Sequence, residues 1–116
     1  DGVGDLAEAE AIFDPHVVMN PFHAVDQEPS YGPHAMRDDW ERWASAFDEL
    51  TVTFEEFIDA GDQVVVVAHH RGRGRKSGVK VDTRYYEVYT LREGKVSQID
   101  EFDEREGALE AAGLRG

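Results

Sequence analysis

The sequence predicts an α+β fold with a largely antiparallel sheet. Three segments have the composition or apolar spacing of helices, and four strand-like segments follow one another with short turns between them. A chain of 116 residues is long enough for one hydrophobic core. We therefore expect residues 1–116 to form a single domain.

The predicted helices lie at the start, in the first half and at the end of the chain. Asp5 to Phe13 is rich in Ala and Glu, and Asp14-Pro15 ends it. His34 to Leu50 repeats apolar residues every three or four positions, which is typical of a helix packed on a core. Arg105 to Ala112 is followed by Gly113, a residue type that commonly ends helices.

Between these helices the pattern changes to that of strands. Ala60 to Asp62 and Glu93-Gly94 are turn signals, and Arg75 to Lys80 is expected to form a hairpin loop. Four consecutive valines, from Val64, indicate a strand that is buried on both faces at that end. The predicted strands are His16 to Asn20, Thr51 to Ile58, Gln63 to Gly74, Val81 to Leu91 and Lys95 to Phe102.

The composition of the chain disfavours several classes of binding partner. The net charge of −13 disfavours nucleic acid, because phosphates would be repelled over most of the surface, and a neutral or cationic ligand is easier to accommodate than an anion. The chain has no cysteine, so disulfides and thiolate metal sites are excluded. No apolar run approaches the roughly 18 residues of a membrane span. We expect a cytoplasmic protein that binds neither nucleic acid nor membranes.

Four segments together resemble a known family. They are D-P-H-V-V-M-N-P, Y-G-P-H-A-M-R-D-D-W, F-I-D-A-G-D-Q-V-V-V leading into R-G-R-G-R-K-S-G, and L-R-E-G-K-V-S-Q-I-D-E-F-D-E-R-E-G-A-L-E-A-A-G-L. The chain resembles the SnoaL-like polyketide cyclase branch of the nuclear-transport-factor-2-like superfamily over almost its whole length. The resemblance implies a cone-shaped fold, in which a strongly curved, mainly antiparallel sheet wraps helices around a deep apolar pocket.

One helix that is typical of the family is not expected in this sequence. The family normally has a long first helix before the segment that matches Gly4 to Leu6, and we expect that helix to be absent here. Either the sequence is a trimmed piece or the mouth of the pocket is unusually open. Relatives commonly dimerise through the sheet, so the resemblance implies a homodimer.

Fold alone does not decide the reaction, because relatives include cyclases, isomerases, hydrolases, dehydratases and proteins without known activity. The function predicted first is binding of a small apolar or polycyclic molecule, with cofactor-free acid/base cyclisation or isomerisation as the candidate reaction. Two alternatives stay open. One is a non-catalytic ligand-binding or dimerisation domain, and the other is a hydrolase or dehydratase of the same superfamily.

Glu101 is the first catalytic candidate. Strand alternation gives the last strand two faces, one with Ser97, Ile99 and Glu101 and the other with Val96, Gln98, Asp100 and Phe102. The pattern does not say which face is inward, but the resemblance implies an acid at the position of Glu101. Desolvation in an apolar pocket would raise the pKa of that carboxyl towards neutrality. The alternative is a solvated Glu at the sheet edge.

His70 and Glu87 are the other catalytic candidates. His70 lies on the more apolar face of its strand and His69 on the opposite face, so His70 is expected to point towards the pocket. A structural histidine that bonds a carbonyl or a tyrosine is the alternative. Glu87 lies among tyrosines on one face of the next strand, where His70 or a tyrosine hydroxyl would be its partner. A register slip of one residue would instead turn Tyr86 inward.

Four residues are predicted to bind substrate: Asn20, Phe22, Trp40 and Tyr85. Asn20 matches an asparagine that helps to hold the attacking water in epoxide hydrolases of the superfamily, and the alternative is that it caps a turn before Pro21. Phe22 and Trp40 are expected near the pocket mouth, and Tyr85 shares a face with Glu87. The Asp-Arg-Asp arrangement of those hydrolases is missing near Ala68 and His70, which counts against epoxide hydrolysis.

The arginine-rich run and the five histidines do not indicate nucleic-acid or metal binding. The run R-G-R-G-R-K, Arg71 to Lys76, alternates in strand register without interleaved aromatic residues, so it is interpreted as the outer face of a hairpin rather than as an RNA-binding tract. The five histidines show neither H-x-H nor H-x-x-x-H spacing. No metal and no cofactor are predicted.

Overall fold

The computed structural model describes residues 12–21 and 28–114, in which one sheet of six strands is accompanied by two helices. The elements in chain order are β1 (Phe13–Asn20), β2 (Ser30–Tyr31), α1 (Gly32–Ser45), β3 (Phe47–Asp59), β4 (Gln63–Gly74), β5 (Lys80–Arg92), β6 (Lys95–Phe102) and α2 (Arg105–Ala111). The strand order is β2-β1-β6-β5-β4-β3, with β1 parallel to β6 and every other pair antiparallel. The predicted α+β class with a curved, mainly antiparallel sheet is confirmed.

Local sequence signals predicted most strand bounds well. The bounds of β4 and β6 agree with the prediction, and β5 is longer by one residue at each end. Glu93 and Gly94 have φ angles of 53° and 80°, which are the left-handed conformations that a two-residue hairpin turn requires. Gly113 follows α2 with a φ of 79°, so it ends that helix as predicted.

The first part of the chain differs from the prediction. The helix expected over Asp5 to Phe13 lies outside the described residues except for its last two positions, and Phe13 already belongs to β1. Within the segment expected to be a loop, Ser30 and Tyr31 form β2 against Met19 and Val18. Neither helix in the described ranges is long and apolar enough to cross a membrane.

The helix predicted over His34 to Leu50 is too long, since α1 ends at Ser45 and Phe47 begins β3. Phe47 is paired with Gly74 of β4. Its ring packs against Trp43 at a centroid distance of 4.7 Å, so the four-residue spacing that looked helical reflects a contact across the end of the helix. Apolar periodicity alone does not distinguish these two arrangements.

Arg75, in the basic run before β5, holds the end of α1. Its backbone N–H donates to the carbonyl of Ala46 at 2.8 Å. Its guanidinium donates to the carbonyl of Ser45 at 3.0 Å and to that of Phe47 at 3.1 Å. The last carbonyls of a helix have no partner within the helix. Arg75 satisfies the carbonyl groups around this helix end, which explains why the chain turns into β3 there.

The sheet is packed on both faces. On one, here called the cavity face, Val17, Val96 and Ile99 form a core against which Met36 of α1 and Tyr89 pack. On the other, the outer face, Val65 and Val88 pack with Ala108 of α2. Strand β5 therefore presents odd-numbered residues to the cavity face and even-numbered residues to the outer face.

One irregularity decides which residues of β6 reach the cavity face. Leu91 pairs with Val96 next to the turn, but Thr90 pairs with Gln98, so Ser97 is an extra residue in β6. Such a β-bulge shifts the register by one residue. The predicted division of β6 into two faces is therefore wrong at Val96, which shares the cavity face with Ile99.

Replacing Arg75 with Ala should destabilise the fold by about 1 kcal/mol, because two charge-assisted hydrogen bonds to main-chain carbonyls are lost. Chemical denaturation of the wild type and of Arg75→Ala measures this change. Lys76→Ala removes the same charge from the exposed turn and should have little effect. Equal destabilisation by both changes would show that Arg75 has no special role.

Candidate functional site

A cavity of about 910 Å³ lies between α1 and the cavity face of β1, β5 and β6. Such a volume falls in the range of pockets that hold small organic molecules, roughly 300–1,000 Å³. The described residues that line it are Met19, Pro21, Glu28, Pro29, Ser30, Tyr31, Ala35, Met36, Asp39, Trp40, Arg42, Trp43, Ala46, Tyr85, Glu87, Tyr89, Ile99 and Glu101.

Two of the predicted acids, Glu87 and Glu101, lie side by side on the cavity wall. They are direct partners in the β5–β6 register, and both line the cavity. Directly opposed residues of neighbouring strands have Cβ atoms about 5 Å apart. The sheet therefore holds two carboxyl groups close together in a mostly apolar cavity.

The environment of Glu87 favours its protonated form. Burial raises the pKa of Glu87 to about 7, and the neighbouring charge of Glu101 acts in the same direction. The Tyr89 hydroxyl opposes this shift by donating a hydrogen bond of 3.0 Å to Glu87 Oε1. Near neutral pH Glu87 is therefore able to take up and release a proton, and its titration is coupled to the charge on Glu101.

Tyr85 and Tyr89 flank Glu87 on the same face of β5 and both line the cavity. Burial raises the pKa of Tyr89 far above its usual value, and the charge of Glu87 and the hydrogen bond to it add to this shift. Burial and the charge of Glu101 likewise raise the pKa of Tyr85. Both hydroxyls are therefore proton-bearing hydrogen-bond donors across the physiological range.

His70 is on the cavity face but belongs to an aromatic cluster rather than to the cavity wall. It is only 6% exposed, and its ring is 4.9 Å from that of Tyr85, 6.1 Å from that of Trp43 and 6.4 Å from that of Trp40, measured between centroids. Burial lowers the pKa of His70, and the charge of His69 adds to this effect. A neutral His70 packs beneath residues that do line the cavity.

The register also separates His70 from the acid pair. His70 is opposite Thr83, and Glu87 is four residues further along β5. At about 3.3 Å per residue, the separation along the strand is about 13 Å. The pairing of His70 with an inward acid, expected from the sequence, is not formed in the structure.

The four predicted substrate-binding residues have different positions. Trp40 and Tyr85 line the cavity. Asn20 does not, because its Nδ2 donates to Asp100 Oδ1 at 2.8 Å and so links β1 to β6. Phe22 lies outside the described residues. The interpretation of Asn20 as a water-holding group is thus not supported by its contacts, and the turn-capping alternative did not foresee this cross-strand bond either.

Sequence reasoning missed several cavity residues. Met36, Trp43 and Tyr31 line the cavity but are not among the residues that the sequence predicts to bind substrate. At its polar edge, Asp39 accepts a hydrogen bond from the Ser30 hydroxyl and pairs with Arg42. A four-residue period would have placed Trp43 beside Asp39 on one side of α1. The contact with Ser30 is long-range and leaves no local signal.

The described ranges contain no group of three or more His, Cys, Asp or Glu side chains that could hold a metal ion. The polar groups that the described part of the cavity wall offers in its depth are carboxyls and phenolic hydroxyls. These groups can donate, accept and transfer protons at neutral pH, since one of them has a pKa near 7.

The fold and its cavity define a class of α+β proteins in which a curved sheet and a helix enclose a cavity. The SnoaL-like domain family matches residues 2–99, so the chain belongs to that family. No curated protein matches the sequence significantly.

Solved structures agree with this fold. A protein assigned as a SnoaL-like polyketide cyclase from Jannaschia sp. CCS1 has a TM-score of 0.71 and 20% identity, over 92% of this chain and 77% of that one. A hypothetical protein with a ketosteroid isomerase-like fold from Catenulispora acidiphila, in complex with trimethylamine, has a TM-score of 0.69 and 16% identity, over 90% and 78%. TerC, co-crystallised with polyporic acid, has a TM-score of 0.64 and 16% identity, over 87% and 80%.

The two neighbours of Glu87 should shift its pKa in opposite directions. Glu101→Gln removes a negative charge, so the pKa of Glu87 should fall below about 7. Tyr89→Phe removes a hydrogen bond to the carboxylate, so the pKa should rise. Carbon-detected NMR titration of the Glu side-chain carboxyls measures both shifts. Glu110→Gln, in α2 on the outer face, is the control, and shifts of the same sign in both site variants would contradict this description.

Proposed function

We propose that the protein binds a small apolar or polycyclic molecule in the cavity and acts on it by cofactor-free acid/base chemistry. The observation that carries this proposal is the opposed pair of carboxyls on the cavity wall, one of which has a pKa of about 7. A general acid or base is most effective when its pKa lies near the operating pH.

The proposed reaction is enolisation next to a carbonyl group of the ligand. The carboxylate of Glu101 takes the proton from the neighbouring carbon, and the electrons of that C–H bond form a C=C bond. The electrons of the carbonyl double bond move to its oxygen, which receives the proton of Glu87. The pair begins and ends with one proton, so no external acid or base is needed.

Tyr85 is proposed as a positioning donor for the same oxygen. Its raised pKa keeps the hydroxyl protonated, and it lies on the cavity face next to Glu87. A donor that is held in place where negative charge develops stabilises the transition state. If the ligand carries a second carbonyl group, the C=C electrons of the enol form a C–C bond to its carbon and the electrons of that carbonyl double bond move to its oxygen, which takes the proton of Glu101, while the enol O–H proton returns to Glu87. Otherwise Glu101 returns its proton to a carbon of the enol, the O–H proton returns to Glu87, and an isomer is released.

The comparisons support a ligand-binding use of the cavity. One structural neighbour is in complex with trimethylamine and another was co-crystallised with polyporic acid. Both show that related folds accept small molecules. At 16% identity, neither indicates the ligand of this chain.

Non-catalytic ligand binding is the alternative that the cavity favours next. The described side chains leave an open volume instead of filling it, which suits a binding protein as well as an enzyme. A hydrolase or dehydratase is less well supported, because Asn20 bonds Asp100 and does not line the cavity.

Homodimerisation through the sheet and a cytoplasmic location are proposals that rest on the family resemblance and on the sequence. Light scattering combined with size-exclusion chromatography measures the molar mass of the protein in solution and so tests the dimer.

Incubation with 2-tetralone, a bicyclic ketone, in deuterated buffer should exchange its α-protons faster than buffer alone, because the carboxyl pair promotes enolisation. The rate should fall as pH rises above about 7, since Glu87 then loses the proton that it donates. Glu101→Gln should slow the exchange by at least about 100-fold. Proton NMR of the ketone measures all three effects.

Glu110→Gln, in α2 on the outer face, is the matched control and should exchange at the wild-type rate. Circular dichroism establishes that each variant is folded. If 2-tetralone perturbs the cavity tryptophans but its protons do not exchange, the acid/base proposal is wrong and the non-catalytic alternative is favoured.

A further inference from the structure

The described part of the cavity wall has an unequal balance of charge. Four carboxyl residues line it, namely Glu28, Asp39, Glu87 and Glu101, and Arg42 is the one basic residue among the described lining side chains. Arg42 pairs with Asp39 at the polar edge of the cavity, on α1. The guanidinium therefore compensates Asp39 at the edge, whereas the groups that act on the charge of Glu87 are Glu101 and Tyr89.

Aromatic rings form much of the remaining wall. Tyr85 and Tyr89 flank Glu87 on β5, and Trp40 and Trp43 project from α1 on the opposite side of the cavity. Trp43 is 6.3 Å from Tyr85 between ring centroids, so an aromatic ring of α1 approaches one of β5 beside the cavity. The faces of such rings attract a cation that has lost its water.

We propose that the ligand of this cavity carries a positively charged amine, which is held between the Glu87–Glu101 pair and the aromatic walls. A carboxylate in an apolar cavity must be neutralised by a proton or by a cation. In the unliganded protein, protonation of Glu87 serves this purpose below a pH of about 7. An ammonium group also neutralises the carboxylate, and its alkyl groups pack against the aromatic rings.

Cation binding and protonation of Glu87 therefore compete. The groups that face Glu87 across the described cavity are Tyr85 and Tyr89 on β5, Glu101 on β6, Asp39 and Arg42 on α1, and Glu28 before β2, while its partner on β4 is Val66. A cation favours the carboxylate form of Glu87. Its affinity should thus rise as pH increases through about 7, and binding at neutral pH should release protons.

This inference rests on the ligand-binding half of the proposed function and does not need the enolisation. The enolisation is tested by deuterium exchange into a neutral ketone, whereas the charge preference is tested by binding alone. If one of these tests fails, the proposal examined by the other test is unaffected.

Benzyltrimethylammonium and its uncharged isostere neopentylbenzene are suitable probes, because the ammonium charge does not change with pH. The chain has two tryptophans, Trp40 and Trp43, and both line the cavity, so intrinsic fluorescence reports on binding there. At pH 8 the cation should bind at least tenfold more tightly than the isostere. Its affinity should fall several-fold at pH 6, while that of the isostere should not change.

Glu87→Gln should reduce the preference for the cation to less than threefold and abolish its pH dependence. Glu41→Gln is the matched control, since it removes the same charge from an exposed position of α1 that does not line the cavity. Calorimetry in buffers of different ionisation enthalpy measures the released protons in the wild type.

Equal affinity for both probes would overturn the proposal, as would the absence of binding by the cation at millimolar concentration. An equal loss of preference in Glu41→Gln and Glu87→Gln would also overturn it, because the attraction would then come from the net charge of the protein. If Glu87→Gln fails to fold, Glu101→Gln should show the same reduced preference, and an unchanged preference in that variant would count against the proposal.

Discussion

The site depends on the register between β5 and β6. The turn at Glu93 and Gly94 pairs Arg92 with Lys95, and continuing that register would place Asp100 opposite Glu87. The extra residue at Ser97 shifts the pairing by one, so that Glu101 is opposite Glu87 instead. One β-bulge thus selects which of two adjacent acids faces the cavity.

The same bulge also completes the packing of the sheet. It places Val96 beside Ile99 in the core of the cavity face, whereas Asp100 turns to the outer face and binds Asn20. Without the shift, Asp100 would enter the apolar core region and Ile99 would leave it. A one-residue slip exchanges the two faces of a strand, so the observed register is favoured by the packing of Ile99 against Val17 and by the bond between Asp100 and Asn20.

These details explain what the sequence could predict. Strands β4 and β6 were predicted with their observed bounds because turn residues and alternation are local signals. The inward position of Glu101 was inferred from the family resemblance, since alternation alone treats its two faces alike. The bulge at Ser97, the end of α1 at Ser45 and the bond between Asn20 and Asp100 arise from contacts between distant segments. No local pattern predicts them.

The buried acid of this pair also lowers the stability of the folded protein at neutral pH. The pKa of Glu87 rises from an ordinary 4.5 to about 7, so the folded state binds a proton that the unfolded state has released between these pH values. Stability therefore decreases as pH rises through this window, by at most about 3 kcal/mol. A glutamine would fit the same space without this penalty. An acid that weakens the fold at neutral pH, on the wall of a cavity and beside a second acid, is what a protein needs if it transfers protons to a ligand or holds a cation there.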